Sequence, residues 1–248
     1  MFPGFGTLVN VLTVLVGSVL GVLLGHRLGE RTRTVVTDAL GLITLLIAAS
    51  SALAVRDPVL AEAVGSNAPM LIVLGSLILG GVAGSLLRLE QRLEGLGETL
   101  QRRLAGGKSS ARRKQFVEGF LNASLVFCVG PLTVLGSLSD GLGQGPDQLL
   151  LKATMDGFAS IAFAAAYGWG VAASALAVLG IQGALTGVGA VAGSFLGEPE
   201  VLALTATGGL LLIGVALRLL RIRQLAVGDL LPALIIAPAI TTALAAVI

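Results

Sequence analysis

The sequence predicts an all-α polytopic membrane protein with about eight transmembrane helices, and three observations predict it. Hydrophobic residue types make up 55% of the 248 residues and charged types only 12%, about half the charged fraction of a soluble domain. The apolar residues fall in runs of about 20, the length that crosses a bilayer core. Nearly all basic residues lie in alternate loops, the mark of cytoplasmic loops in multi-pass proteins.

The eight candidate spans are 5–25, 35–55, 69–88, 117–138, 149–167, 170–193, 201–218 and 227–247. No basic region precedes the first run, so it reads as a retained helix rather than a cleaved signal. The fifth and sixth are joined only by Gly168-Trp169-Gly170, which predicts a tight hairpin with Tyr167 and Trp169 at the water interface. Seven spans with one re-entrant segment is the alternative count.

Charge placement tests the count. Arg27, Arg31 and Arg33 follow the first span, and a long basic stretch from Arg88 to Lys114 follows the third. Arg218, Arg221 and Arg223 follow the seventh, which leaves only Arg56 and Lys152 of the 16 basic residues elsewhere. Eight crossings put these three loops on one side, opposite Asp57, Glu62, Asp140, Asp147, Glu198 and Glu200. The expectation is a multi-pass membrane protein with both termini outside.

A single transmembrane domain over 1–248 is expected, with a cytoplasmic amphipathic helix and basic loop at 88–115. In that stretch Leu89, Leu93, Leu96, Leu100 and Leu104 recur at helical spacing among Glu and Arg. Such a helix either extends the third span or lies on the membrane surface, held by anionic lipid.

Two segment pairs suggest an inverted repeat. Asn10, Gly17 and Gly21 share their mutual spacing with Gln182, Gly189 and Gly193. "GLITLLIA" from Gly41 parallels "GLLLIGVA" from Gly209. Each pair lies five spans apart, so its members run in opposite directions.

The run "NASLVFCVGPLTVLGSLSDG" from Asn122 is long enough to cross a bilayer but breaks at Gly130-Pro131. Proline removes a donor and clashes with the preceding turn. In lipid the freed carbonyls must be satisfied by protein, water or an ion. Asn122, Ser124, Thr133 and Asp140 in the same run point to a polar site, although a packing kink would need no ligand. Asp156 lies inside the fifth span with Lys152 one turn before and Ser160 one turn after, so the three share a face. A carboxylate at such depth marks an ion or substrate path, or else a structural Lys–Asp pair whose lysine reaches toward water. Asn10 and Gln182 can each supply an amide oxygen at membrane depth, or bond a neighbouring helix. Asp229, shortly before Pro232, is expected to cap the last helix. The Gly17–Gly21–Gly25 series suits close internal packing and can also serve a homo-oligomer.

"GTLVNVLTVLVGSVLG", "GFLNASLVFCVGPLTVLGSLSDGL", "LLKATMDGFASIAFA" and "LLPALIIAPAI" together resemble the YqgA-like family of uncharacterised prokaryotic inner-membrane proteins. The resemblance covers nearly the whole chain. It implies a polytopic membrane protein, in a family where some members carry a sodium channel or pump label. The family pattern maps onto Asn10, Asn122, Ser124, Pro131, Asp140, Lys152, Asp156, Ser160 and Gln182. Asp229 stands where members of that family often have Asn, a change that a capping role tolerates.

The function expected is a transporter or channel for a small cation (sodium or proton coupled) or a small polar solute, at a broken helix near the bilayer midplane. The alternative is a membrane scaffold or signalling protein acting through its amphipathic helix. One histidine and one cysteine leave no basis for a zinc centre or a Ser–His pair, so no enzyme activity and no cofactor are expected. Membrane lipids are the expected partners and nucleic acid is not, since topology accounts for the basic loops.

Overall fold

Every regular element among the described residues is helical. The protein, seen as a computed structural model, is described over residues 2–25, 29–104, 110–129, 131–192 and 196–246. The helices are α1 (Phe5–Gly25), α2 (Glu30–Ala52), α3 (Pro58–Val64), α4 (Ala68–Leu87), α5 (Leu89–Leu104), α6 (Ser110–Cys128), α7 (Pro131–Gly141), α8 (Asp147–Tyr167), α9 (Gly170–Ala192), α10 (Glu198–Leu219) and α11 (Ala233–Ala245). Two 3₁₀ turns, Leu53–Arg56 and Val227–Leu230, lie beside α3 and α11. Among the described residues, seven spans are long and apolar enough to cross a membrane, and the bent pair α6–α7 makes an eighth when taken as one. The expected all-helical polytopic fold and its broken fourth span are therefore present. His26, Arg27, Lys108, Gly130 and Gly193 lie outside the described residues.

The helices group into two compact units, one of residues 1–40 and 93–194, the other of 41–92 and 195–248. In the first, α1 lies along α8. Gly17 abuts Gly157 and Ser160, Gly21 abuts Ile161 and Ala164, and Gly25 abuts Ala165. The contacts advance together along both chains, so the two helices run parallel. Any side chain at Gly17 or Gly21 would strike a backbone carbonyl of α8, which is why small residues recur there. Gly168, at φ 74°, turns α8 into α9 as a hairpin, because glycine enters the left-handed region without steric cost. Consequently α9 runs antiparallel to α1.

Helix α6 ends at Cys128 and α7 begins at Pro131, with a bend of 64° between them. Proline at the first helical position needs no N–H partner, so it can start a helix where it could not continue one. Phe127 meets Phe163 edge-on at 5.9 Å, which fixes the end of α6 against α8.

Helix α5 packs partly on protein. Leu93 and Leu100 pack on a cluster of Phe116, Phe120, Leu121 and Ala173 from α6 and α9, and Gly97 faces Phe120 and Val117. This part of the apolar stripe is therefore buried on protein, while Leu96 remains 56% exposed.

In the second unit α4 and α11 cross closely. A Cβ on Gly80 would strike Ala233, and one on Gly84 would strike the carbonyl of Asp229. Leu60 and Val64 of α3 join Ile72, Ala203 and Ala237 in a buried cluster. The short helix α3, which the hydropathy pattern leaves as a loop, is started by Asp57, whose Oδ1 accepts from Val59 N at 3.0 Å. Asp229 does not cap the last helix. Its Oδ1 accepts from Glu90 N at 2.9 Å, in the first turn of α5, where unpaired N–H groups favour an anion. Glu90 answers: its Oε2 accepts from Gly228 N at 2.6 Å and its Oε1 from Arg218 Nη1 at 2.6 Å.

Candidate functional site

The site lies in the first unit, along the buried face of α1, where Gly6, Thr7, Asn10, Val14, Gly17 and Ser18 follow one another at helical spacing. Asp156 is near the middle of α8's 21 residues and only 6% exposed. Lys152, one turn earlier, donates to Asp156 Oδ2 at 2.8 Å and to Oδ1 at 3.0 Å. Asn10 Nδ2 donates to Oδ2 at 3.0 Å. The carboxylate thus receives three hydrogen bonds, two of them from a cation. Paired and bonded in this way, a buried ion pair is sustainable.

Other polar groups continue from this centre toward the start of α1. The hydroxyls of Thr7 and Thr186 lie 3.4 Å apart. Asp140 Oδ2 accepts from the backbone N–H of Gly4 at 3.2 Å and of Gly6 at 3.1 Å. Asp140 therefore serves the N-terminus of α1, one turn from Asn10, and compensates the dipole there. Because α1 and α9 are antiparallel and meet at Thr7 and Thr186, the next turn inward brings Asn10 and Gln182 to one level on facing surfaces.

The break adjoins α8 on both sides: Phe127 at the end of α6 meets Phe163, and Gly136 of α7 faces Leu149 and Gln148. Ser124 lies one turn before Cys128 on the same face. Thr133 Oγ1 donates back to Phe127 O at 3.2 Å, satisfying one of the carbonyls that the interruption frees. Gly130 itself is not described, and Pro131 contributes the first position of α7.

Several buried polar atoms of this unit have no protein partner: Asn10 Oδ1, Ser18 Oγ, Asn122 Oδ1, Ser124 Oγ, Ser137 Oγ and both amide atoms of Gln182. Buried polar groups nearly always find a partner, and leaving one unpaired is costly. Asn10 Oδ1 belongs to the residue that bonds Asp156, and buried polar atoms left unpaired in this way can take water or a small polar guest. Asn122 lies six residues before Cys128, on the hairpin side of the break. Ser160 turns its hydroxyl to its own helix, donating to Gly157 O at 2.7 Å, and Gly17 packs on it. It shapes the α1–α8 contact rather than bonding to Asp156.

Comparison with known proteins places the chain. A family model described as a protein of unknown function, DUF554, matches residues 5–242. The chain belongs to this family. It is 27% identical over 236 residues to the uncharacterized membrane protein YdfK of Bacillus subtilis (strain 168), covering 95% of each chain. It is 28% identical over 239 residues to the uncharacterized protein YqgA of Escherichia coli (strain K12), covering 96% of each. The expected YqgA-like family membership holds, and the chain is a membrane protein. No solved structure matches it.

Of the residues singled out in the sequence, the structure joins Asn10, Lys152 and Asp156 by hydrogen bonds. Thr7, Thr186 and Ser18 were not singled out. Hydroxyls in apolar helices usually bond their own backbone, so no residue type announced them. The one available signal for Thr7 and Ser18 was their spacing from Asn10 on one face.

Proposed function

We propose that the protein moves a small cation or small polar solute across a prokaryotic cytoplasmic membrane, through the polar interior of its first unit. The observation that carries this reading is the buried Lys152–Asp156–Asn10 network beside the α6–α7 break, surrounded by polar atoms that the protein leaves unpaired. Ionisable groups inside spans and interrupted helices at midspan are the usual furniture of permeation sites. Asp156 supplies charge, while Asn10, Ser124 and Gln182 supply neutral oxygens. Asp140 holds the entrance end of α1 in place. In this reading both termini lie outside, the protein is not an enzyme and needs no cofactor, and self-association is left to the lipid-exposed faces.

The scaffold alternative draws less support, because Leu93, Gly97 and Leu100 of α5 are engaged within the first unit. The test is ion flux in proteoliposomes holding the full chain, compared with Asp156→Asn. The expected result is flux in the parent that falls at least a hundredfold in the variant. Equal flux in both would remove Asp156 from the mechanism, and none in the parent for any small cation or polar solute would overturn the reading.

A further inference from the structure

We propose that the Lys152 ammonium is a tethered counter-ion that a monovalent cation displaces from Asp156, and that each cation admitted releases one proton from Lys152. The protein would then exchange a cation for a proton. This inference rests on the transport reading above and names its substrate class and its coupling.

The geometry points to displacement rather than addition. Lys152 Nζ contacts both carboxylate oxygens of Asp156, at 2.8 and 3.0 Å, and so occupies the place a bound cation would take. With Lys152 protonated and Asp156 ionised, the pair is neutral. Adding a second positive charge at one buried carboxylate would leave an uncompensated charge in a low-dielectric interior, which is strongly disfavoured. Neutrality returns if Lys152 gives up its proton. The step balances in atoms and charge: the carboxylate–ammonium pair plus one cation yields a carboxylate–cation pair, a neutral amine and one proton passed to water. The lysine stem starts one turn nearer the beginning of α8, so the amine can withdraw along the helix toward the interface.

The oxygens for a partly dehydrated cation are at hand. Asn10 donates its amide nitrogen to Asp156 and keeps Oδ1 without a partner. Gln182, fully buried one turn from Thr186, keeps its whole amide unpaired, and the Ser124 hydroxyl is unpaired too. Hard cations take such oxygen ligands. A single carboxylate suits a monovalent ion, and no cluster of three or more His, Cys, Asp or Glu suited to a metal occurs among the described residues.

The other ionisable groups around the pair are few. Helix α6 presents Cys128, and α7 presents Asp140, which is engaged by Gly4 and Gly6. Helices α1 and α9 carry no ionisable side chain. On α8 itself, Asp147 is exposed at the helix start. Lys152 is therefore the one basic group placed to hand over a proton among these.

The experiment uses the full chain in liposomes with a trapped pH indicator, pulsed with sodium, lithium or potassium chloride under a clamped membrane potential. In the parent, a cation pulse should drive protons the opposite way. Its half-saturating concentration should rise about tenfold for each unit the pH is lowered, because one proton competes with one cation. Lys152→Arg keeps the charge and the pairing with Asp156, but a guanidinium does not deprotonate. It should fold normally and lose at least a hundredfold of the exchange. Proton-coupled flux in Lys152→Arg equal to the parent's would overturn the proposal. So would a half-saturating cation concentration in the parent that does not change with pH, a measurement that needs no variant to fold. Cation flux with no proton movement in the parent sinks the exchange but leaves transport standing; no flux of any small cation or polar solute in the parent sinks both.

Discussion

Gly41 and Gly209 stand in a reciprocal contact: a Cβ on Gly41 would press into Leu220, and one on Gly209 would press into Ala52. Leu220 follows Ala52 at the same sequence separation at which Gly209 follows Gly41. An antiparallel pair related by a two-fold axis makes contacts in just this exchanged form. The likeness of the two segments around these glycines is thereby matched in space, as an inverted repeat requires.

The two glycines differ in what surrounds them, and this gives the first prediction. Gly209 faces backbone atoms of Ala48 and Ala52, which cannot give way, whereas Gly41 faces the Leu220 side chain at 2.7 Å, which can. Gly209→Ala should destabilise the protein by about 2–3 kcal/mol and Gly41→Ala by about 1 kcal/mol or less, within the usual range for overpacking. Leu220→Ala should recover most of the loss in Gly41→Ala and none of that in Gly209→Ala. Reversible unfolding in detergent, arranged as double-mutant cycles, measures both differences.

Much of this architecture was legible in the sequence because lipid imposes a simple rule: a spanning segment must be apolar and helical. The rule placed α1, α4, α8, α9 and α10 within a few residues and located the break before Pro131. It was silent where protein replaces lipid as the neighbour. The charged start of α2 at Glu30 and the small helix α3 carry no apolar run, and the leucines of α5 gave no sign of the Phe116 and Phe120 they meet. A third echo of the repeat, "PMLIVL" from Pro69 beside "PALIIA" from Pro232, became visible only once α4 and α11 were seen to pack together. For the site, residue type alone singled out Asp156 and Lys152. Which groups bonded them, and which stayed unpaired, depended on helix register that hydropathy does not encode.

Asn10 and Gln182 should separate structural from functional roles. Asn10 donates to a buried carboxylate, and hydrogen bonds to charged groups contribute about 1.5–3 kcal/mol, so Asn10→Leu should lower stability by that order as well as flux. Gln182 makes no hydrogen bond through its amide. Gln182→Met should therefore leave stability within about 1 kcal/mol or raise it, yet reduce flux at least tenfold. Paired melting curves and flux assays check this, and a large loss of stability in Gln182→Met would contradict it.

Two glycines of α4 form an internal control. Gly84 meets the Asp229 carbonyl, while Gly75 has nothing within 4 Å. Gly84→Ala should cost about 2 kcal/mol or more through overpacking. Gly75→Ala should stabilise by up to about 1 kcal/mol, the difference in helix propensity between the two residues. Thermal unfolding of the two variants should thus shift in opposite directions.

The knot around Glu90 supplies the last prediction. Its carboxylate holds Arg218 and the Gly228 N–H, while Asp229 returns a bond to the Glu90 backbone, and both side chains of the ion pair are largely buried, at 8% and 13% exposure. Removing one member of such a pair strands the other and typically costs about 3–5 kcal/mol. Glu90→Ala should do so here, since it frees both the guanidinium and the Gly228 donor. Arg218→Met should cost less, because Glu90 keeps its bond to Gly228, and the double variant should not be the sum of the two. Asp229→Asn should lie within about 1 kcal/mol of the parent, because an asparagine side-chain oxygen accepts from a helix N–H about as well as aspartate does. If Asp229→Asn proved as damaging as Glu90→Ala, the negative charge at the start of α5, rather than the hydrogen bond, would be what matters there. The two variants would then share a salt dependence that a neutral cap lacks.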